Sequence, residues 1–322
     1  MSSPSPSPSP QLARPASAEH ALLRPGLPRL ALAHDGIDAL NAALRDSQAA
    51  IIDDFAAGWP ALSQWTPEAL ARRYGERIVR VFDASFGQPG RGYMGNVDAM
   101  PFAEFLDTVL TQGRDLRMFL YNIARQIPAL VDDIRPPAIG HKFSRRFVFT
   151  FFGCKGSTTP LHYDIDMGCV FHTVIRGRRR VRLFAPDQSA RLYRHPCTVR
   201  SYVDLDRPDF MQFPALADAR GHEVVLEPGQ TLMMPPGWWH EFHYLEAGIG
   251  VSLRSPPMHL SDRLHGARNV LLASPFDRLA NKLAAQSWYR WKQRRAERNA
   301  RAACVEQSEH APNKARIKRR VR

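Results

Sequence analysis

Six residues, Thr159-Pro160-Leu161-His162-Tyr163-Asp164, lie in an apolar, β-branched stretch and constrain the rest of the chain. Residues two apart on a strand point to the same face. His162 and Asp164 are therefore expected to project together, with Tyr163 on the other side. A neutral imidazole and a carboxylate so placed form two thirds of a 2-His-1-carboxylate triad, a ligand set that leaves adjacent iron positions open. The third ligand has to come from elsewhere. His240, 76 residues after Asp164, follows Met233-Met234-Pro235-Pro236-Gly237-Trp238-Trp239. Pro-Gly marks a turn there, and Glu241 to Leu245 reads as a strand leaving it. Competing donors exist. His243 has the wrong strand parity relative to His240, His172 sits after the first motif, and Asp166 shares parity with Asp164. The expected metal ligands are His162, Asp164 and His240.

Uniting such distant segments takes strands, and the chain is rich in them. Phe147 to Phe152 is strongly β-prone, and Gly153 to Thr158 turns into the His-x-Asp strand. Phe171–Ile175 and Arg180–Phe184 flank Gly177 and read as a hairpin; Glu223–Leu226 and Thr231–Met234 flank Pro228-Gly229-Gln230 and read as another. Ile249 to Arg254 closes the series. Short strands with turns between them argue a double-sheet jelly roll. Upstream, helices are expected over Gly36–Arg45, from a Thr66 cap with Pro67 at the first position, and over Pro101–Gln112. They alternate with strands at Ala50–Asp54, Ile78–Phe82 and Leu116–Tyr121, and a glycine-rich loop from Gly87 to Asn96 is expected near the site. After Pro256-Pro257, leucines at helical spacing imply two helices broken near Ser274-Pro275 and a third, basic one over Trp288–Ala303. The expected class is mainly β with flanking helices (α+β), with an N-terminal α/β lead-in.

The expected organisation is a disordered Ser/Pro-rich segment over 1–28, one domain over 29–255 with its metal-binding β core at about 145–255, helices over 256–303 and a basic disordered tail over 304–322. The net charge of +13 is uneven, because Arg290 to Arg322 carries 12 Lys/Arg against 3 Glu. Such an end is a footprint for nucleic acid, a ribosome or another anionic surface, or else a solvated helix end. No run of 18 apolar residues argues a membrane span. The four cysteines have no paired spacing and read as free thiols, which fits a cytoplasmic setting.

His162-Tyr163-Asp164, then Ile175-Arg176-Gly177-Arg178-Arg179-Arg180-Val181-Arg182-Leu183-Phe184-Ala185-Pro186-Asp187, then Pro235-Pro236-Gly237-Trp238-Trp239-His240 together resemble the cupin-like branch of the JmjC family. The resemblance spans roughly Ile51 to Ser255 and is to the branch holding the hypoxia-inducible-factor asparaginyl hydroxylase and a tRNA wybutosine hydroxylase. It implies a cupin-type double-stranded β-helix and an Fe(II)- and 2-oxoglutarate-dependent oxygenase. The family places a Lys two residues past a Gly to hold the far carboxylate of 2-oxoglutarate; here that position is Arg179, whose other reading is an exposed strand residue. Thr159 matches the family's hydroxyl residue, three before the first ligand. His172 is a further candidate for the co-substrate, since spacing in this region is two residues longer than in the asparaginyl hydroxylase. Trp239 and Arg254 are expected beside the substrate, Arg254 standing where that hydroxylase has an Asn facing the site. No residue beyond the metal ligands is expected to act as a catalyst. A protein or peptide is the first expected substrate and RNA or a ribosomal component the second; a non-catalytic cupin-like binding module is the rival reading. The C-terminal helices are a candidate homodimer surface.

Overall fold

A computed structural model of the chain describes residues 22–87 and 98–318. Residues 1–21 of the Ser/Pro-rich start and, beyond Gly87, the glycine-rich loop lie outside the described residues. The rest of the segment expected to be disordered over 1–28 is corrected in part, since Leu23–Pro25 pairs as a strand with Gly221–Glu223. The strands, in chain order, are β1 (Leu23–Pro25), β2 (Arg29–Leu30), β3 (Ala50–Ile52), β4 (Ile78–Val81), β5 (Asp98–Pro101), β6 (Arg117–Asn122) and β7 (Phe149–Gly153). They continue with β8 (Thr158–His162), β9 (Cys169–Arg176), β10 (Arg179–Phe184), β11 (Gly221–Leu226), β12 (Thr231–Met234), β13 (Trp239–Tyr244) and β14 (Gly248–Ser255). One sheet has the order β1-β11-β10-β13-β8 and a second β2-β3-β12-β9-β14-β7-β6; β4 and β5 pair separately.

From β7 onward, nearly every turn carries the chain from one sheet to the other. This is the β-rich jelly roll expected, but it corrects both hairpins. β9 pairs with β12 and β14, whereas β10 pairs with β11 and β13. β11 and β12 likewise fall in different sheets. A short turn with glycine serves a hairpin and a sheet-to-sheet corner equally well, so local sequence does not separate them. Gly177 occupies its corner at φ +70, and a Cβ there would lie 2.5 Å from the Ala247 carbonyl oxygen. Both the dihedral and the close approach require glycine.

Strand alternation sorts the apolar residues into layers. Val170, Val174, Val181, Leu183, Leu232 and Phe242 fill the space between the sheets. The outer face of the seven-stranded sheet, with Phe152, Phe171 and Val251, is covered by the N-terminal elements through Phe55, Trp59, Phe102 and Phe105. These elements include α1 (Leu32–Arg45), α2 (Pro67–Tyr74) and α3 (Phe102–Leu106). Thr66 caps α2 as expected, its hydroxyl accepting from the Ala69 N–H at 3.1 Å. The outer face of the five-stranded sheet is covered by the long insertion between β10 and β11, through Leu192, Val203 and Leu216, and by Ala296 and Ala300.

Those alanines belong to the C-terminal helices, α4 (Leu260–Arg268) and α5 (Ser274–Lys318), joined by a π-helical turn over Asn269–Ala273. The break expected at Ser274-Pro275 is instead at Ala284 (φ −149), because proline is tolerated in the first turn of a helix. α5 extends past Ala303, where the helical region was expected to end. Leu260, Leu264, Leu271, Leu272, Leu279 and Leu283 remain exposed along α4, the π-helical turn and α5. No helix among the described residues is long and apolar enough to cross a membrane.

Candidate metal centre

β8 and β13 are neighbours, and their register sets His162 directly opposite His240. Their rings stand 4.3 Å apart between centroids. Asp164 lies two residues past His162, just beyond the end of β8, and still turns its carboxylate to the same side. One potential ligand atom from each of the three lies within 4.8 Å of the other two.

The backbone decides which histidine nitrogen is available. His162 Nδ1 lies 2.8 Å from the Pro160 carbonyl oxygen, and His240 Nδ1 lies 3.0 Å from that of Trp238. A carbonyl only accepts, so both Nδ1 atoms carry the proton and donate it. Each Nε2 keeps its lone pair, the arrangement a metal-binding histidine requires. Burial and then the neighbouring His240 push the His162 pKa down to about 3. Burial also lowers that of His240, against the pull of Asp164. Both rings are therefore neutral near pH 7. Burial raises the Asp164 carboxyl, but Arg254 and the two histidines outweigh it and hold it below its ordinary value.

Arg254 accounts for much of that effect. Its Nη2 donates to Asp164 Oδ1 at 2.7 Å and its Nη1 to Asp166 Oδ1 at 2.5 Å. Expected beside the substrate, it lines the cavity while fixing the carboxylate of the metal group. Asp166, the competing carboxylate, is engaged by this pairing. The C-terminal helices brace the same loop, since Asn269 donates to the Ile165 carbonyl oxygen at 3.3 Å and Gly266 packs on the Asp166 backbone.

The triad opens into a cavity of about 620 Å³, also lined by Thr159, His172, Arg179, Phe149, Phe151 and Tyr244. Arg179 is not an exposed strand residue; it is 1% exposed. Its Nη1 donates to His172 Nε2 at 2.8 Å, its Nη2 to the Phe151 carbonyl oxygen at 3.3 Å, and its guanidinium carbon sits 4.2 Å from the Tyr244 ring centre. Among the described residues no carboxylate pairs with it, and its Nε–H is buried without an acceptor. His172 is neutral, burial and then Arg179 holding its pKa well below the ordinary value.

Trp239 is a correction. It is fully buried on the other face of β13, where its Nε1–H donates to Ser189 Oγ at 2.9 Å and its ring meets Tyr163 edge-on. If His240 faces inward, its chain neighbour has to face outward. The same parity places Phe242 and Tyr244 inside the cavity, a signal that could have identified both in advance. Arg200 was missed as well. It pairs with His162 as an isolated β-bridge and lines the cavity from the insertion, where no periodic pattern flags it.

The chain is similar to lysine-specific demethylase 8 of Xenopus tropicalis, 29% identical over 209 residues, which is 60% of this chain and 45% of that protein. It is 26% identical over 216 residues to tRNA wybutosine-synthesizing protein 5 of Homo sapiens, 60% of this chain and 67% of that one. A shorter stretch of 95 residues is 43% identical to the HSPB1-associated protein 1 homolog of Danio rerio, 28% of this chain and 21% of that protein. The chain thus spans less than half the length of two of these relatives. The model of the cupin-like domain matches residues 39–290, which takes in β3 to β14 and the triad. With that match and the JmjC relatives, the chain belongs to the cupin-like JmjC-domain family.

Proposed function

We propose that this protein is a 2-oxoglutarate-dependent dioxygenase that hydroxylates a protein side chain. The family generally uses Fe(II) and 2-oxoglutarate. One observation carries the reading to this chain: a single cavity holds three free metal-ligand atoms and a buried guanidinium that has no carboxylate partner among the described residues. Two neutral imidazoles and one carboxylate suit iron(II). A buried cation without a carboxylate partner among the described residues suits an anion arriving with the co-substrate.

In this reading His162, Asp164 and His240 hold the metal. Arg179, with the Thr159 hydroxyl, holds the far carboxylate of 2-oxoglutarate. Arg254 keeps Asp164 ionised and fixes its orientation. Phe149, Phe151 and Phe242 exclude water from the cavity. When bound, iron(II) and 2-oxoglutarate supply the oxidation: dioxygen and the oxo acid are consumed, succinate and carbon dioxide leave, and one oxygen atom enters a substrate C–H bond.

The similarity to a protein named a lysine-specific demethylase supports a protein substrate. Hydroxylation of an N-methyl group would release formaldehyde, so demethylation is the same chemistry on another carbon. A second reading, an RNA or ribosomal substrate, is supported by the similarity to a tRNA wybutosine-synthesizing protein and by exposed Arg294, Arg295, Arg298 and Arg301 on α5. Cutting the tail after Tyr289 would also remove buried Lys292 and Ala296, so charge reversal of those arginines separates the two readings more cleanly. Loss of salt-sensitive RNA binding in that variant favours the second reading; no RNA binding by the unaltered protein removes it.

The deciding experiment is anaerobic loading with Fe(II), with and without 2-oxoglutarate, followed by visible spectroscopy. A weak charge-transfer band only when both are present is the expected result. Iron binding without the band would sink the co-substrate assignment, and no metal binding would make the chain a binding module.

A further inference from the structure

We propose that Gly250, with the Ser252–His172 pair, positions the Arg179 guanidinium and thereby sets how tightly the site holds a dicarboxylate; this deepens, and rests on, the 2-oxoglutarate reading above. Gly250 and Ser252 are on the inner face of β14, beside Val174 and His172 of β9, while Arg179 reaches across from β10 of the opposite sheet. A Cβ on Gly250 would stand 2.8 Å from Arg179 Cζ and 2.9 Å from His172 Cε1, and closer still to Arg179 Nη1. Gly250 has no positive φ. Its backbone is ordinary strand that any residue adopts, so the missing side chain serves space rather than conformation. That space holds the guanidinium.

Hydrogen bonds fix the group within it. Arginine only donates, so His172 Nε2, 2.8 Å from Arg179 Nη1, has to accept. The imidazole proton is then on Nδ1, 2.9 Å from Ser252 Oγ, and is donated there. Arg179 sets the His172 tautomer and Ser252 anchors the ring by accepting its Nδ1 proton; His172 and the Phe151 carbonyl hold the fork, and the Tyr244 ring supports its face. The guanidinium so held lines the cavity and has no carboxylate partner among the described residues, which leaves its charge for an incoming carboxylate.

An arginine at this position therefore requires glycine at 250, whereas the shorter lysine does not. The test is calorimetric titration of 2-oxoglutarate into the Mn(II)-loaded protein, with Mn(II) affinity and melting temperature measured alongside. Gly250→Ala is expected to weaken 2-oxoglutarate by about tenfold or more, the scale of forcing a packed group out of place, with Mn(II) affinity unchanged. Arg179→Lys combined with Gly250→Ala is expected to recover binding to the level of Arg179→Lys alone. Ser252→Ala, which leaves the packing space intact, is expected to weaken 2-oxoglutarate several-fold. Unchanged binding in Gly250→Ala, or a double variant weaker than Gly250→Ala alone, would overturn the proposal. Should Gly250→Ala not fold, unchanged binding in Ser252→Ala overturns it equally. If the unaltered Mn(II) protein binds no 2-oxoglutarate, the co-substrate reading fails, and this proposal with it.

Discussion

The two faces of β10 each bury an arginine, and the two arginines are treated in opposite ways. On the outer face, Arg182 meets three carboxylates: Glu223 at 2.9 Å, Glu241 at 3.2 Å and Asp206 at 2.8 Å. On the inner face, Arg179 meets a histidine, a carbonyl and a ring, and no carboxylate among the described residues. A structural cation is supplied with its counter-charges when the chain folds. In the function proposed above, a cation that binds the co-substrate is held in place with one charge left to satisfy. Buried histidine has a third course open to it, which arginine lacks. His195, 3% exposed between the Tyr202 and Tyr289 rings, gives up its proton instead, burial and then Lys292 lowering its pKa to about 3.

The sharpest attempt to break this comparison is Arg179→Met. It should cost about 100-fold or more in 2-oxoglutarate affinity, as for other charge-assisted contacts to a buried carboxylate. The melting temperature should hold or rise, because an uncompensated charge has left the interior. A clear fall in melting temperature would make Arg179 a structural residue like Arg182. Next in size is Arg182→Met. Removing one partner of a buried ionic network costs about 3–5 kcal/mol. Asp206 and Glu223 are partly exposed and screened, so about 2 kcal/mol is expected in chemical denaturation, with 2-oxoglutarate affinity unchanged.

His195 tests the third course through pH. The folded pKa of about 3 lies below the ordinary 6.5, so between these values the unfolded chain binds more protons. Stability should fall as pH drops below 6.5, by up to about 1.4 kcal/mol per pH unit. His195→Phe should flatten that part of a melting-temperature profile, and an unchanged slope would assign the acid sensitivity to other groups. The smallest effect is expected from Trp239→Phe, about 1 kcal/mol of stability for the lost hydrogen bond to Ser189. Metal and 2-oxoglutarate binding should not move in that variant. A change in either would mean that the outer face of β13 is coupled to the cavity.

Much of the site was legible in the chain because strand parity is a local property. His162 and Asp164 share a face at a spacing of two, and His240, Phe242 and Tyr244 do so for the same reason. Gly177 marked its corner because an αL dihedral beneath a close carbonyl admits little else. The capped helix at Thr66 and the jelly-roll class followed from equally short-range signals. Sheet membership did not. The stretches flanking Gly177 and Gly229 look like hairpins, and only hydrogen bonding to distant strands shows that each turn crosses between sheets.

The same limit explains the misplacement of Trp239 and the missed pairing of Arg254. Parity places Trp239 opposite His240, but which face borders a cavity depends on what covers each one. Arg254 and Asp164 are 90 residues apart and meet across the layer between the sheets. Sequence by itself determined the candidate ligand types, their alternation on strands and the glycine turn, since each depends on neighbours a few bonds away. Only the tertiary structure decided which arginine is paired and which is left open, because a charge's partners are set by packing across the two sheets and not by its place along the chain.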